Sequence, residues 1–452
     1  MSDIEHRLED LRDRGLYRRM RMVSGPQGPR VLLDGRPVLL LCSNNYLGLA
    51  DHPRVREAAA DAAMRWGVGA GASRLVSGTM TIHRRLEERL ADFEGSRSCL
   101  LFGSGYLANI GVIGALAGRD EVVFSDKLNH ASIIDGCRLA RAETFVYEHC
   151  DLDHLAWGLR QAEGRGALIV TDSIFSMDGD VAPLAELVEL AHRYDVRVVV
   201  DEAHAMGAIG PGGRGAVAEA GLEAEIDVVV GTLGKALGSY GAYVCCDAGM
   251  ARYLTNTARS LIFSTAPPPP AVAGALAALE LLAEQPGRVD KLQAAGDHLR
   301  DQLVRAGIPA PVSRTQIIPL VVGDATLAMD LCERVLTRGV FAQAIRPPTV
   351  APGSSRLRLA VMSSHTPSEL ARAAEAIALS ARELGVEFHA PASIPGPTAA
   401  SAPNPGLASY AARSRHDPPA RRQDPAYGDD DPTPRGGSRP FDVEADAVPH
   451  AA

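Results

Sequence analysis

Residues 226–241 read IDVVVGTLGKALGSYG, and the interpretation of the whole chain depends on this stretch. The apolar run at 228–230 predicts a buried strand, and the glycines after it predict a tight turn whose backbone approaches a neighbour closely. The turn carries one lysine, Lys235. Because most lysines are surface residues, the turn alone leaves two alternatives open, a solvated charge and a chemically active amine.

A second stretch, residues 197–210 with the sequence RVVVDEAHAMGAIG, favours the active amine. It predicts another buried strand that ends at Asp201, with His204 in the following turn. Ligands of α/β proteins bind beyond the carboxyl ends of the strands, so we expect Asp201, His204 and Lys235 to converge there. A carboxylate, an imidazole and an amine around one pocket suit pyridoxal phosphate. The amine bonds the cofactor's aldehyde and the carboxylate holds the pyridinium proton.

The composition is that of a globular protein, with 46% hydrophobic and 22% charged residues in 452. A formal net charge of −9 attracts neither nucleic acid nor an anionic membrane, so we expect neither as a partner. The 7 cysteines include no CxxC pair and no zinc-ligand spacing, which favours reduced thiols, a cytoplasmic location and no metal. The charged N-terminus is not a secretory signal, and no apolar run reaches the roughly 18 residues of a membrane span.

Short apolar strands alternate with helix-like segments between residues 121 and 232. This alternation predicts an α/β fold with a mostly parallel sheet covered on both faces by helices. Residues 242–246 predict an antiparallel neighbouring strand, and the prolines at 267–270 predict the end of this large domain. Helical and strand patterns alternate again from 271 to 384 and predict a smaller α+β domain.

The two ends of the chain differ from this core. Residues 3–22 alternate charged and apolar groups at helical spacing, which predicts an amphipathic helix, and a hairpin with its turn at 34–35 follows. Beyond about residue 389 the sequence is rich in Pro, Ala and Ser and predicts disorder. We therefore divide the chain at 1–40, 41–270, 271–388 and 389–452.

Further candidate residues follow other predicted strands at the same edge of the sheet. Gly105 and Tyr106 begin a predicted helix, where free N–H groups and the positive dipole end can hold a phosphate. Such βα turns are common, so this signal is weak alone. His130 and Ser176 follow two other strands. A lone histidine is more often structural than catalytic unless its neighbours share a site.

Together these motifs give the chain a resemblance to a known family. The segments SNNYLGL, GSGYLAN, NHAS, SMDGD, DEAH, TLGKALG, FST and RPPTVAPGSSRLRL occur in the order and spacing of the α-oxoamine synthases. These pyridoxal-phosphate enzymes have the fold of aspartate aminotransferase, fold type I, and condense an amino acid with an acyl-CoA while releasing carbon dioxide. The resemblance covers roughly residues 1–388. It implies a seven-stranded, mostly parallel sheet and a homodimer with active sites at the subunit interface.

The resemblance also implies a role for each matching residue. Lys235, His130 and Asp201 would be catalytic: Lys235 bonds the cofactor, His130 stacks on its ring and Asp201 pairs with its pyridine nitrogen. His204 would hydrogen-bond the ring hydroxyl. The implied cofactor-binding set is Gly105, Tyr106, His130, Ser176, Asp201, His204, Thr232, Lys235 and Thr265, of which Thr265 would reach the phosphate in the neighbouring subunit.

The substrates follow from the same resemblance. Arg358 is the candidate for the amino-acid carboxylate, and Arg356 stays an alternative because residues two apart on a strand share a face. Arg18, Asn45 and Thr349 would line the acyl side. The segment AIRPPTVAPGSSRLRL most resembles the family members that join L-alanine to pimeloyl-CoA, or to the pimeloyl thioester of a carrier protein, in biotin biosynthesis.

Two alternatives remain open at this stage. One is a sister enzyme that uses glycine or serine with another acyl-CoA, and the other is a catalytically silent partner subunit. The segment RPPTV argues against the first, and the joint presence of Lys235, Asp201 and both histidines argues against the second. Where the alanine-using enzymes commonly read AHGTG, this chain reads AHAMG, and the added bulk of Met206 leaves the acyl preference open.

Overall fold

The computed structural model describes residues 3–309 and 313–389, which begin with a helix, α1 (Asp3–Asp13), and a small sheet. The first strands of this sheet are β1 (Val23–Ser24), β2 (Arg30–Leu33) and β3 (Arg36–Leu40), paired antiparallel in that order. Asp34 and Gly35 join β2 to β3 with φ angles of 48° and 80°. Two consecutive positive φ angles suit the twist of a two-residue hairpin, so the predicted hairpin is confirmed.

The predicted helix over 3–22 is wrong beyond residue 13. Gly15 has a φ of 63°, in the left-handed region where a residue with a Cβ is strained. The N–H of Leu16 donates to the Leu11 carbonyl at 2.8 Å and that of Gly15 donates to the Arg12 carbonyl at 2.9 Å. These two bonds close the helix in a Schellman motif.

The central region contains nine α-helices and seven strands within the described residues. The helices are α2 (Pro53–Trp66), α3 (Thr81–Glu94), α4 (Gly105–Leu116), α5 (Ala131–Ala140), α6 (Leu152–Gln161), α7 (Leu184–Tyr194), α8 (Gly215–Glu219), α9 (Ala248–Thr257) and α10 (Arg259–Ile262). The strands are β4 (Ser98–Phe102), β5 (Val122–Asp126), β6 (Glu143–Tyr147), β7 (Gly166–Asp172), β8 (Arg197–Asp201), β9 (Val228–Thr232) and β10 (Ala242–Cys246).

These seven strands form one sheet in the order β4-β10-β9-β8-β7-β5-β6. Strand β10 runs antiparallel to both neighbours, as predicted, and the strands from β9 to β6 are parallel. Valine-rich strands such as β8 and β9 are buried on both faces, which explains their unbroken apolar runs. The mostly parallel seven-stranded sheet expected from the resemblance is therefore confirmed.

The parallel strands place polar residues at a single edge of the sheet. Asp126, Asp172, Asp201 and Thr232 are the last residues of β5, β7, β8 and β9. Because parallel strands end at the same edge, these side chains meet above the core.

The C-terminal region contains four helices and four strands within the described residues. They are α11 (Pro269–Glu284), α12 (Gly287–Arg305), β11 (Ile317–Gly323), α13 (Ala325–Thr337), β12 (Val340–Phe341), β13 (Gln343–Ile345), β14 (Ser355–Ala360) and α14 (Pro367–Leu384). Strands β11, β14 and β13 form an antiparallel sheet, and β12 joins the N-terminal sheet in parallel with β3.

The described chain ends at His389, whose N–H donates to the Val321 carbonyl at 2.9 Å. The predicted disordered segment 389–452 otherwise lies outside the described residues, and the domain limits stay predictions. Within the described part of the chain, no helix combines the length and apolar character that crossing a bilayer requires.

Candidate active site

Lys235 lies in the turn after β9 and faces the edge where the parallel strands end. Its Nζ is 2.8 Å from Nε2 of His204. Burial lowers the pKa of Lys235 to about 8, against the opposing effects of Asp201 and Asp172. Of the two alternatives that the sequence left open, this geometry supports the active amine, because the group is drawn into a polar cluster and away from solvent.

Asp201 ends strand β8 and accepts two hydrogen bonds. Its Oδ2 accepts from Nδ2 of Asn109 on α4 at 2.7 Å, and its Oδ1 accepts from the N–H of Ala203 at 2.8 Å. The neighbouring Asp172 is also buried, and burial together with Asp201 raises its pKa well above the usual range. The shift favours the neutral form of Asp172 beside the hydrogen-bonded carboxylate of Asp201.

His204 is buried between Lys235 and Tyr46. Its Nδ1 is 2.6 Å from the hydroxyl of Tyr46, and its carbonyl accepts from Nε2 of Gln316 at 2.7 Å. Burial, followed by the charges of Lys235 and Arg358, lowers the pKa of His204 well below its ordinary value. The imidazole is therefore neutral at neutral pH.

His130 begins helix α5 at the same edge of the sheet. Its Nδ1 is 2.7 Å from Oγ of Ser132, and its N–H donates to Oδ2 of Asp172 at 2.7 Å. Desolvation lowers the pKa of His130, with Asp201 opposing and Lys235 reinforcing the effect. The structure thus brings His130, Asp201, His204 and Lys235 together, as the sequence predicted.

The two arginines of β14 are both buried but have different partners. Arg356 is paired with the carboxylate of Asp178 and also donates to the Ser354 carbonyl at 3.0 Å. Arg358 donates only to neutral oxygens within the described residues: the Ser176 carbonyl, Oδ1 of Asn44 at 3.3 Å and the Tyr46 hydroxyl at 3.4 Å. Arg358 is thus a buried cation that lacks a carboxylate partner there.

The predicted phosphate-binding residues lie around the start of α4. Oγ of Ser104 accepts from the N–H of Leu107 at 3.2 Å and caps the helix, and a Cβ on Gly105 would meet no atom within 4 Å. The hydroxyl of Tyr106 donates to Asp135. Further round the rim, Oγ1 of Thr232 donates to the Gly241 carbonyl at 3.1 Å.

Thr265 lies apart from this cluster. It is exposed and forms an isolated bridge with Ser73. Its predicted contact is with a second subunit and is not tested by a single chain.

The residues predicted to line the acyl side lie near the segment after β13. Arg18 donates to the Pro347 carbonyl at 3.1 Å, and the exposed Thr349 donates its N–H to the Arg346 carbonyl at 3.1 Å. Arg346 donates in turn to the Tyr17 carbonyl at 3.3 Å. These contacts place residues 17 and 18 beside the RPPTV segment, residues 346–350.

The side chain of Asn45 forms its hydrogen bonds with residues 27 and 50, which lie close to it in the sequence. Its Nδ2 donates to the Gln27 carbonyl and its Oδ1 accepts from the N–H of Ala50, both at 3.2 Å. The preceding residue, Asn44, is the asparagine that contacts Arg358. The acyl role of Asn45 stays a prediction.

Sequence reasoning missed several polar residues that hold the site together. They are Asn44, Tyr46, Asn109, Ser132 and Asp172. Asp172 could have been found, because it ends a predicted strand just as Asp201 does. The others lie in a helix or in irregular chain, where sequence spacing does not reveal which side chain faces the edge of the sheet.

A separate cluster of titratable groups lies at the ends of β5 and β6. Donor atoms of Asp126, His149 and Cys150 lie within 4.8 Å of one another, a group that could hold a metal ion. However, Nδ1 of His149 is 3.0 Å from Asp126 and its Nε2 is 2.6 Å from Asp180. Although burial opposes it, these hydrogen bonds raise the pKa of His149 to about 12. Both ring nitrogens then carry protons, and neither has a lone pair for a metal.

Comparison with known proteins places this site in a family. The family model for aminotransferase class I and II matches residues 36–377. The chain is 51% identical over 382 residues to an 8-amino-7-oxononanoate synthase of Geobacter sulfurreducens, a match covering 84% of this chain and 98% of the relative. The chain is also 50% identical over 389 residues to an 8-amino-7-oxononanoate synthase of Citrifermentans bemidjiense, a match covering 85% of this chain and 100% of the relative.

Solved structures show the same fold. A serine palmitoyltransferase from S. paucimobilis superposes with a TM-score of 0.81 at 30% identity, covering 84% of this chain and 97% of that one. An 8-amino-7-oxononanoate synthase from Francisella tularensis superposes with a TM-score of 0.66 at 26% identity, covering 77% and 99%. The chain therefore belongs to the class I and II aminotransferase family and, within it, to the α-oxoamine synthases.

Pyridoxal phosphate is the cofactor of this family, and the residues present fit it. The site offers an amine with a lowered pKa at Lys235, a hydrogen-bonded carboxylate at Asp201 and a neutral imidazole at His204. The start of α4 has open space around Gly105, where a phosphate can approach the helix N-terminus. Nothing in this donor set favours a metal ion instead.

Proposed function

We propose that this chain condenses L-alanine with pimeloyl-CoA, or with the pimeloyl thioester of a carrier protein. The products are 8-amino-7-oxononanoate, carbon dioxide and the free thiol, and the reaction belongs to biotin biosynthesis. The observation that carries the proposal is Arg358, a buried guanidinium without a carboxylate partner in the described chain, at the same polar edge as Lys235. The relatives at 50% identity or more support the choice of reaction.

Bound pyridoxal phosphate supplies an electron sink for the carbanion formed at the α-carbon of the amino acid. Lys235 would hold the cofactor through its amine, and the same amine would accept the α-proton of the amino acid. A pKa of about 8 leaves part of the amine population unprotonated at neutral pH, which a proton acceptor requires. Asp201, oriented by its bonds from Asn109 and Ala203, would pair with the pyridine nitrogen of the cofactor.

We assign the amino-acid carboxylate to Arg358 and not to Arg356. Arg356 already has a carboxylate partner in Asp178, whereas Arg358 is held by neutral oxygens that orient its guanidinium without neutralising it. A planar guanidinium can donate two parallel bonds to a carboxylate. Ser176 contributes to this assignment through its carbonyl, which accepts from Nε of Arg358.

The residues predicted to line the acyl side favour an acyl group that ends in a carboxylate. The charge of Arg18 lowers the pKa of Arg346, after the larger effect of burial, so the two guanidinium groups lie near each other. Within the described residues both donate to main-chain carbonyls and neither forms an ion pair with a carboxylate. Two neighbouring cations without a counter-ion suit the distal carboxylate of a dicarboxylic acyl group. Thr349 completes this side.

We propose that the active form is a homodimer. Several apolar side chains are exposed on α4, after Lys235 and α10, and at residues 75 and 76, namely Leu75, Val76, Tyr106, Tyr240 and Phe263. Large apolar side chains left exposed on a single chain are typical of a surface that another chain covers. The partner's copy of Thr265 would then complete the phosphate site that Gly105 begins, while Thr232 and His130 contribute from within the chain.

The substrate proposal is tested by a matrix of amino acids and thioesters. L-alanine, glycine and L-serine are each offered with acetyl-, pimeloyl- and palmitoyl-CoA and with pimeloyl carrier protein, and thiol release and product mass are followed. We expect L-alanine with a pimeloyl thioester to react fastest, and the matched variant Lys235→Ala to release no thiol above background. A clear preference for glycine or serine would contradict the proposal, and absence of turnover with every pair would favour the silent subunit.

A further inference from the structure

A buried hydrogen-bond chain joins the carboxylate-binding arginine to the cofactor lysine. It runs from Arg358 through Tyr46 and His204 to Lys235, with Asn44 beside Tyr46. Tyr46 is fully buried and His204 is only 6% exposed, so the bond between these two side chains is shielded from water. The donors and acceptors along the chain can therefore be worked out from the chemistry of its members.

The direction of the chain is fixed at Arg358, since a guanidinium only donates. Its NH1 lies 3.3 Å from the Asn44 side chain, so the atom that Asn44 presents there must be its carbonyl oxygen, Oδ1. That same oxygen lies 3.1 Å from the hydroxyl of Tyr46. Of these two groups only the hydroxyl of Tyr46 carries a proton, so it donates to Oδ1 of Asn44.

The hydroxyl of Tyr46 therefore points its proton at Asn44 and keeps lone pairs for its other neighbours. Arg358 donates to it at 3.4 Å, and Nδ1 of His204 lies 2.6 Å away. Burial raises the pKa of Tyr46, so the group is a phenol and not a phenolate. With its only proton directed to Asn44, it can meet Nδ1 of His204 only as an acceptor.

We infer that Tyr46 and Asn44 fix the tautomer of His204, with the proton on Nδ1 and a bare Nε2 facing Lys235. Tyr46 is a positioning residue, because it acts through His204 and not on the substrate. Since His204 is neutral, a proton on Nδ1 leaves Nε2 with a lone pair, and Nζ of Lys235 donates to it at 2.8 Å.

This inference rests on the proposed function and deepens it. If pyridoxal phosphate occupies the site, Nε2 of His204 would face the ring oxygen, and the tautomer of the imidazole decides whether that nitrogen donates or accepts there. Arg358, which is assigned to the substrate carboxylate, also orients Asn44. The substrate-binding arginine and the cofactor lysine therefore belong to one hydrogen-bond chain. Charge-assisted and networked bonds in a buried site are stronger than the same bonds in water.

The tautomer is measured directly with ¹⁵N-histidine-labelled full-length protein, with and without pyridoxal phosphate. Long-range ¹H–¹⁵N correlation spectra distinguish protonated from bare ring nitrogens, and a His204→Gln spectrum assigns the signals. We expect a protonated Nδ1 and a bare Nε2 at neutral pH in both forms. A protonated Nε2 with a bare Nδ1 would overturn the inference, whatever the substrate matrix shows.

Two variants separate this mechanism from general damage. In Asn44→Ala the hydroxyl proton of Tyr46 is free to turn to Nδ1 of His204, so we expect the proton of the imidazole to move to Nε2. In Tyr46→Phe the acceptor is lost and a mixture of tautomers is expected. The matched control Tyr243→Phe removes a fully buried hydroxyl that donates to Glu94, away from the site, and should leave the His204 signals unchanged. An unaltered His204 tautomer in Asn44→Ala would contradict the role of Asn44.

Discussion

At the residue scale, the chemistry of the site comes from partners that change the protonation of a few side chains. Lys235, Asp201 and His204 could be predicted from sequence because each follows a buried strand. Which of two adjacent asparagines faces the site could not, since residues 44 and 45 lie in irregular chain where no periodicity assigns a face. The structure turns Asn45 to Gln27 and Asn44 to Arg358. Such choices depend on contacts between distant segments.

Replacing Arg358 tests the assignment of the carboxylate. We expect Arg358→Lys to raise KM for L-alanine by about ten- to hundredfold, since a hydrogen bond to a charged group contributes about 1.5–3 kcal/mol. The matched variant Arg356→Lys keeps an ammonium that can pair with Asp178 and should change KM much less. Steady-state kinetics with varied L-alanine measures both. The reverse order of effects would move the assignment to Arg356.

Glu202, next to Asp201, gives a prediction for pH. It is fully buried, its Oε2 has no hydrogen-bond partner, and burial raises its pKa from 4.5 to about 8. The folded protein therefore holds a proton that the unfolded chain has lost, so this group's contribution to stability falls as pH rises from about 4.5 to about 8.

The variant Glu202→Gln keeps the shape of the side chain but cannot ionise. Its free energy of unfolding should fall less than that of the wild type as pH rises through this range. Urea unfolding at a series of pH values measures the difference. Parallel curves for the two proteins would show that Glu202 does not titrate with this raised pKa.

At the scale of elements, the end of a helix can be predicted where the sequence carries its own signal for that end. Helix α14 begins with a capping box between Thr366 and Glu369 and ends at Gly385, whose φ is 63°. Helix α1 was overextended because the charged and apolar alternation continues past Gly15, although that glycine already stops the helix. Periodicity predicts which face an element buries, whereas caps decide where it ends.

The loop after β7 connects the distant His149 to the substrate side. The loop carries Ser176, whose carbonyl accepts from Arg358. It also carries Asp180, and the imidazole of His149 contacts the carboxylates of both Asp180 and Asp126. We expect His149→Gln to lower the free energy of unfolding by about 3 kcal/mol, since it breaks a largely buried charge bridge.

Loosening this loop should also raise KM for L-alanine more than it changes kcat, because Arg358 loses a fixed acceptor. The matched control is His192→Gln, which breaks an exposed bridge to Glu225. It should change stability by less than about 1 kcal/mol. Equal effects of the two substitutions on KM and stability would contradict the role given to His149.

At the scale of the whole molecule, sequence predicted the sheet and its one antiparallel strand, but a single chain does not test the assembly. The exposed apolar side chains around Tyr106 and Phe263 are the physical reason for expecting a dimer. If Thr265 serves the neighbouring site, mixed dimers of Lys235→Ala and Thr265→Ala subunits contain one site with both residues intact.

We expect Thr265→Ala to weaken pyridoxal phosphate binding by about tenfold, the value of one charge-assisted hydrogen bond. At a pyridoxal phosphate concentration well below the Kd of Thr265→Ala, mixing the two variants after dissociation and reassembly should restore activity above that of either alone. Analytical ultracentrifugation checks the dimer in the same samples. A monomer, or no gain on mixing, would contradict a site shared between subunits.

The most direct test of the account is the identity of the cofactor-bearing amine. The sequence has lysine at positions 127, 235 and 291 and nowhere else, and both Lys127 and Lys291 are exposed. Borohydride reduction of the protein bound to pyridoxal phosphate, followed by peptide mass spectrometry, locates the modified residue. We predict stoichiometric modification of Lys235 alone. Modification at Lys127 or Lys291, or a Lys235 peptide that stays unmodified, would contradict the account.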